Sequence, residues 1–480
     1  MTTSTTDIAP LAWRPVAVIT AIVGVLQLGA AIAGRGYWFD EVYMLAIGRS
    51  HLDWGSADQP PLTPALAALS DTLFENSVVA LRIPAILATM GAVVVAALIA
   101  HEMGGDGRAQ TLVAAAQASA PWAAVSGHWL TPYALEPVGW LLLVWLLVRW
   151  IRVRDDRLVL ALGVVAGLAA MTKFQVVFFC AIMLTGVATV GPRALLRRPL
   201  LWAGAAVGLL ICAPTLWWQA QHGWPQLKMA EVVAAEAEPL YGGRASIAVL
   251  LFVFAGPAAA GLALYGLLSL VRDRALRDYR FLGVTFVALY AAFAATGGRP
   301  YYLCGLFGAL AAVGALSLQR RREAGLTRWR WAVWPVYLIS AALALGGLYL
   351  GVDLTRSDDG ERIVQRTAEV YRSLPAEQRG RTALIGESYI VAAYIDAYST
   401  EYDLPAAFSP ARSYGYFPAP GPEIDTVLVI GDNRPDRLRP YFTESRKIDG
   451  PEDQIDVWLM SGPTEGWDTL WPKMRTLEVV

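Results

Sequence analysis

Residues 134–190 read ALEPVGWLLLVWLLVRWIRVRDDRLVLALGVVAGLAAMTKFQVVFFCAIMLTGVATV. Three apolar blocks, roughly 134–150, 158–172 and 174–190, are divided by an arginine-rich loop and by a short break at Thr172-Lys173. Blocks of this length with almost no internal charge are the signature of helices that cross a lipid bilayer. The pattern extends both ways, with further blocks near 11–33, 78–100, 109–125, 200–218, 247–271, 281–296, 301–318 and 331–351. Eleven spans are expected, and the pair around 158–190, broken at Thr172-Lys173 by a tight turn or a re-entrant bend, is the shortest.

Composition agrees. Of 480 residues, 56% are hydrophobic and 16% charged, against about 25% charged in ordinary soluble domains. Cys180, Cys212 and Cys304 all fall inside apolar blocks, which excludes a disulfide framework or a zinc-ligand spacing. A net charge of −1, with basic residues segregated by loop, gives no nucleic-acid patch. Residues 1–10 are polar and Thr-rich and are expected to form a disordered cytoplasmic tail. The block after them is about 23 residues, too long for a signal-peptide core and better read as a retained first span.

Arginines orient the spans. Arg149, Arg152, Arg154 and Arg157 load one loop, and Arg193, Arg197 and Arg198 the next. Arg272, Arg274, Arg277 and Arg280 load a third, and Arg320, Arg321, Arg322, Arg328 and Arg330 a fourth. Threading eleven spans from a cytoplasmic N-terminus puts all sixteen in the cytoplasm. The connections between spans on the other side carry only Arg35, Arg49, Lys173, Lys228, Arg244 and Arg299. The C-terminal region, residues 353–480, is then extracytoplasmic. Within it TALIGE (382–387), TVLVIG (426–431) and DVWLMS (456–461) read as short buried strands, with helical spacing at 389–398 between the first two. The expected architecture is a polytopic α-helical membrane domain, 11–352, followed by a small α/β domain. VLVIGDNRPDRL lacks a Gly-rich phosphate loop, so a nucleotide site is not expected there.

The polar residues of interest collect on the outer side. The first outer loop, residues 34–77, contains YWFDE (37–41), and Val42, Leu45, Ala46 and Arg49 then follow the spacing of a short amphipathic helix at the membrane interface. Asp40 just ahead of it has two readings: helix N-cap, or, doubled as Asp40-Glu41 behind an aromatic belt, an acid lining a polar cavity. Lys173 in an apolar turn and Arg299 beside Tyr301 and Tyr302 read as anion ligands or as side chains snorkelling to headgroups. Arg244 and Lys228 are weaker candidates of the same kind.

YWFDE, then DQPPL (58–62), then Arg82 resemble the opening of the GT-C-type glycosyltransferases that use lipid-linked sugars. The likeness is narrower to the branch of protein O-mannosyltransferases and lipid A aminoarabinose transferases. GHWLTPYALEPVGW (127–140), GLAAMTKF (167–174), WWQAQHGWP (217–225) and GGRPYYLCGLFGAL (297–310) agree in order. The tail segments IGESYIVAAYIDAY (385–398), GYFPAPGP (415–422) and WDTLWPKMR (467–475) are similar to bacterial, especially actinobacterial, members. The resemblance implies a GT-C-like fold and a multi-pass enzyme of the cytoplasmic membrane. It would be a hexosyl- or pentosyltransferase moving sugar from a polyprenyl-phosphate donor to a glycan, lipid or protein hydroxyl, with inversion. It implies Asp40 as general base, with Glu41 and Glu136 as further acids at the centre. It assigns the donor phosphate to Lys173, Arg299, Arg244, Lys228, Tyr301 and Tyr302. It allows a divalent metal ion at Asp58 and His222. Relatives often carry Lys where this chain has Gln59, and commonly Asp where it has Glu136. A transporter or flippase of a lipid-linked sugar is the other class the spans permit; the internal repeat usual in such proteins is not found in the sequence.

Overall fold

The computed structural model describes residues 8–326, 328, 330–357, 359–431, 435–451 and 454–479. Most of the expected N-terminal tail therefore lies outside the described residues. Two compact units emerge: one from Met1–Ala33, Arg82–Pro214 and Val233–Val352, the other from Gly34–Leu81, Thr215–Val232 and Asp353–Val480.

Six described helices are long and apolar enough to cross a membrane: Trp13–Ala33, Val78–Glu102, Pro132–Val153, Pro199–Gln221, Arg274–Thr296 and Val333–Asp353, and most of their residues fall in the first unit. Gly243–Val253 and Gly256–Arg272 make a seventh if counted as one span bent by 94°. Gly256 turns that corner at φ +75°, a conformation open to glycine, and Pro257 then starts the second arm without needing a donor. This is fewer than the eleven expected, and the reason is in the blocks themselves. Arg157–Ala170 and Gln175–Val190 have 14 and 16 residues, about 21 and 24 Å of helix, short of a ~30 Å hydrocarbon core. The 109–125 block breaks at Pro121 into Gly107–Ala118 and Pro121–Ser126. Cys304–Glu323 is 20 residues long but ends in Arg320, Arg321 and Arg322.

Cys304–Glu323 is the central rod of this unit. It is buried without a break from Gly305 to Ser317 and packs on Gly256–Arg272, Gly107–Ala118 and Pro132–Val153. Elsewhere small residues let backbones touch. A Cβ on Gly163 would sit 1.8 Å from the Gly204 carbonyl oxygen, and one on Gly208 would sit 2.7 Å from that of Gly163. Gly163 and Gly167 thus face Gly204 and Gly208, the small-residue spacing by which membrane helices gain van der Waals contact where apolar burial gives no advantage. The break expected near Thr172-Lys173 falls at residues 171–174.

The second unit is built on a five-stranded sheet: β1 (Thr382–Gly386), β2 (Ala407–Phe408), β3 (Thr426–Ile430), β4 (Phe442–Ile448) and β5 (Val457–Pro463). Its order is β2-β1-β3-β5-β4, parallel from β2 through β3 and antiparallel onward. β1 and β3 are buried at every position, which is why they read as continuous apolar runs. Val427, Val429 and Met460 meet Trp467, Leu470 and Trp471 in the core below. The expected strands and the helix Tyr389–Tyr402 are present.

The helix expected at 42–49 runs from Phe39 to Ser50, and it has no broad exposed face. Glu41 through Gly48 are all buried, because Leu62–Leu73 and Tyr389–Tyr402 pack on it from two sides.

Candidate active site

In the membrane unit, the turn after Arg157–Ala170 delivers Lys173, and the fifth residue of Pro132–Val153 is Glu136. Their side chains meet, Lys173 Nζ lying 3.5 Å from Glu136 Oε2. The ammonium also faces two rings, 4.1 Å from the centroid of Tyr302 and 5.3 Å from that of Tyr301, an arrangement that favours a cation. Glu136 is 9% exposed, and its Oε1 has no hydrogen-bond partner among the described residues. Glu136 is therefore a counter-ion rather than a dipole-stabilised end residue.

A tight turn links this pair to Arg299, the Tyr302 amide donating to the Arg299 carbonyl at 3.1 Å. Arg299 bonds the carboxylate of Glu236 and lies 5.6 Å over Tyr241. Its Nη1 is a buried donor with no partner among the described residues. Lys173 and Arg299 thus neither snorkel nor stand alone; each is held by an acid. Glu236, within AEAEPLYGGR, was not singled out from sequence, although an acid opposite the outer arginine was the available signal.

Aromatic rings continue inward. Trp122 stacks on Tyr301 at 4.7 Å and on Phe254 at 5.0 Å, and Tyr133 leans on Tyr301 at 5.0 Å. Trp122 and Tyr133 also line an apolar cavity of about 340 Å³, with Leu26, Pro137, Cys304 and Phe307. A cation pair at a ring of tyrosines and an apolar cavity behind it suit one ligand class, an anionic head on a long apolar chain. Arg244 and Lys228 are both exposed, and the structure gives them no place in this cluster.

In the second unit, Asp40 is half-buried on the first turn of Phe39–Ser50. It is not the N-cap, because the helix starts one residue earlier and Trp38 occupies that position. Glu41 does the capping work: it is fully buried, and its Oε1 accepts the Trp38 amide at 3.0 Å, the reciprocal half of a capping box. Asp40 is thus not the cap of this helix.

Asp58 and His222 do not fit a divalent ion. Asp58 Oδ1 accepts from the Tyr43 hydroxyl at 2.8 Å and from Ser413 at 2.6 Å, and Oδ2 from Gln59 at 3.2 Å. His222 stacks on Trp218 at 3.9 Å, with Nδ1 2.8 Å from that residue's carbonyl. Among the described residues no three His, Cys, Asp or Glu side chains gather as a metal set. Three protein donors already occupy most of the Asp58 lone-pair sites, so the pair Asp58 and His222 alone does not make a metal set among the described residues.

Asp396, which sequence reasoning missed, accepts from the Ala407 amide at 2.7 Å and the Tyr414 hydroxyl at 2.5 Å. Burial pushes its carboxyl up from the ordinary 3.8 to about 6. A raised acid binds its proton more tightly in the folded chain, so its contribution to stability is lost as pH rises from about 4 to about 6. The stability of wild type should therefore fall relative to that of Asp396→Asn over that window, by up to roughly 3 kcal/mol. Parallel pH profiles of the two proteins would contradict this.

Comparison with known proteins then places the architecture. Residues 58–218 match the family model described as dolichyl-phosphate-mannose-protein mannosyltransferase. No curated protein sequence matches the chain. Among solved structures, ArnT from Cupriavidus metallidurans bound to undecaprenyl phosphate aligns at 14% identity and TM-score 0.66, over 93% of this chain and 98% of that one. The oligosaccharyltransferase of Archaeoglobus fulgidus, in complex with Zn and sulfate, aligns at 12% identity and TM-score 0.52, over 86% and 68%. The mycobacterial arabinofuranosyltransferase AftD aligns at 14% and 0.54, over 96% of this chain and 41% of that one. With a bundle of membrane-length helices and a small C-terminal sheet, this chain has the GT-C glycosyltransferase fold.

Proposed function

We propose that the chain is an integral membrane glycosyltransferase that moves a sugar from a polyprenyl-phosphate donor to an acceptor hydroxyl, with inversion. The observation that carries the reading is the Lys173–Glu136 pair under Tyr301 and Tyr302, with Tyr301 packed on Trp122 and Tyr133, two residues that line an apolar cavity. It supports a lipid phosphate as ligand, the class that the ArnT neighbour holds as undecaprenyl phosphate.

The chemistry needs few parts. The acceptor oxygen bonds to the anomeric carbon as the bond from that carbon to the phosphate oxygen breaks, and the lipid phosphate leaves as the anion. Lys173 and Arg299 receive the charge that grows on that phosphate. Glu136 and Glu236 hold the two cations in place until the anion competes for them. Asp40 takes the acceptor proton, a step that typically contributes 10²–10⁴-fold. A nearby carboxylate also favours the oxocarbenium-like transition state.

Native mass spectrometry of the purified chain with undecaprenyl phosphate tests the donor class. One bound lipid per chain is expected, retained against an excess of diacylglycerol phosphate of similar charge. Binding no stronger than that of the diacyl competitor would remove the reading. The loop arginines support a cytoplasmic N-terminus and an outer C-terminal domain. A reporter fused after Val480 should then be active only outside the cytoplasm. Activity inside would reverse the orientation.

A further inference from the structure

Asp58 lies where three separate stretches of the second unit meet, and one residue there has no role in the proposed reaction. Arg412, in the loop after β2, is 6% exposed. Its Nη1 lies 3.9 Å from Asp58 Oδ2 and donates to the Met229 sulfur at 3.4 Å. Its guanidinium lies 5.8 Å from the Tyr389 ring centroid. First-loop, mid-chain and C-terminal segments thus converge on one buried cation.

The backbone reaches that point at a cost. Arg412 adopts φ +54°, a left-handed conformation uncommon for a residue with a side chain. Its amide is fixed by the Thr476 carbonyl at 2.9 Å, and the next residue is pinned twice. The Ser413 amide donates to the Tyr43 hydroxyl at 3.0 Å, and its Oγ donates to Asp58 Oδ1. The side-chain oxygens of Ser413 and Ser56 are 2.8 Å apart. The loop is bound to Asp58 through neutral donors on one oxygen, and a charge stands by the other.

A carboxylate with 8% side-chain exposure needs a compensating positive charge, because an isolated buried ion is strongly disfavoured. A divalent metal ion is one way to supply it, but no group of three His, Cys, Asp or Glu side chains among the described residues stands ready to hold one here. We infer that Arg412 is the resident counter-cation of Asp58, contributed by the C-terminal segment, and that this centre is metal-independent. Arg412 is a positioning residue: it fixes Asp58, and through Asp58 the Tyr43 hydroxyl on the helix that carries Asp40. The inference rests on ion pairing alone and does not require the transfer reading to hold.

The test uses the full-length protein in detergent, as wild type, Arg412→Lys, Arg412→Gln, Asp58→Asn and Asp58→Asn/Arg412→Gln. Metal content is measured by inductively coupled plasma mass spectrometry, and unfolding is followed with and without EDTA. Wild type should hold well under one zinc, manganese or other divalent transition-metal ion per chain and melt unchanged in EDTA. Arg412→Gln should lower the melting temperature by roughly 5 °C or more, since it strands a buried charge. Arg412→Lys should recover part of that loss. The double variant should melt above Arg412→Gln, because the stranded carboxylate is gone. Two results would overturn the inference. One is near-stoichiometric metal in wild type whose removal lowers the melting temperature. The other is strictly additive losses from Asp58→Asn and Arg412→Gln. Should Arg412→Gln fail to fold, folding of the double variant supports the pair, and its failure beside a folded Asp58→Asn counts against it.

Discussion

Asp40→Asn should leave the protein folded and able to bind donor lipid while sugar transfer falls by roughly 100-fold or more. Asparagine matches aspartate in size but cannot take the acceptor proton. The structure removes the chief competing explanation, a capping role, because Trp38 holds the N-cap position and Glu41 accepts the Trp38 amide at 3.0 Å. The neighbour therefore supplies the control. Glu41→Ala deletes the reciprocal cap inside a fully buried site and should cost stability of about 0.5–2 kcal/mol. A well-folded, fully active Asp40→Asn would strip Asp40 of its role. A stability loss in Asp40→Asn as large as that in Glu41→Ala would return Asp40 to a structural part.

Lys173→Met should weaken polyprenyl-phosphate binding by roughly 30- to 150-fold, the equivalent of about 2–3 kcal/mol for a charge contact shielded from water. Methionine keeps the aliphatic stem against Tyr301 and Tyr302, so the change isolates the ammonium. It also leaves Glu136 without its counter-ion, which alone would disturb the site. Lys173→Met/Glu136→Gln separates the effects: if the lysine contacts phosphate, the double variant binds as poorly as the single. If the lysine only neutralises Glu136, affinity returns. Arg299→Ala should also weaken binding. Arg320→Ala is the control, because its pair with Asp273 is 38% exposed on both sides and such pairs contribute about 0–1 kcal/mol. Equal losses from Lys173, Arg299 and Arg320 substitutions would mean that position in the fold is irrelevant.

Much of this was legible in the chain. Thr172-Lys173 marked a helix break because two polar residues interrupt an apolar run, and the structure puts the break there and aims the lysine at Glu136. β1 and β3 were legible because buried strands need unbroken apolar residues, and β5 because its apolar start, VWLM, reads the same way although only Val457 and Met460 are fully buried. β4 was not: FTESRKI alternates with mostly exposed positions, the pattern of an edge strand in which only pairing with β5 gives strand character. Fewer helices reach membrane length than there are apolar blocks, because a block can hold a helix and a break. Pro121 ends one such helix early while the surrounding residues stay apolar. The burial of the Phe39–Ser50 helix was not legible for a different reason. Its polar residues suggested one wet face, yet Arg49 bonds Asp71 at 2.6 and 2.7 Å and the Ala397 carbonyl at 2.8 Å. A partner almost 350 positions away leaves no trace in local spacing. Arg412 was hidden likewise, inside a loop whose Pro, Gly and aromatic residues signal turns and nothing more.

The central claim is transfer of a sugar from a lipid phosphate, and its most direct test follows the lipid product. Purified wild type and Asp40→Asn, reconstituted in liposomes, are given defined polyprenyl-phosphate sugars: mannose, aminoarabinose and arabinofuranose. A cell-envelope extract serves as acceptor, and released polyprenyl phosphate is quantified by liquid chromatography and mass spectrometry. Wild type should release it from at least one donor, with matching gain of sugar in the acceptor fraction, and Asp40→Asn should release roughly a hundredth as much. Lipid crossing the bilayer with its sugar intact, or no release from any donor by a protein that binds the lipid, would contradict the account.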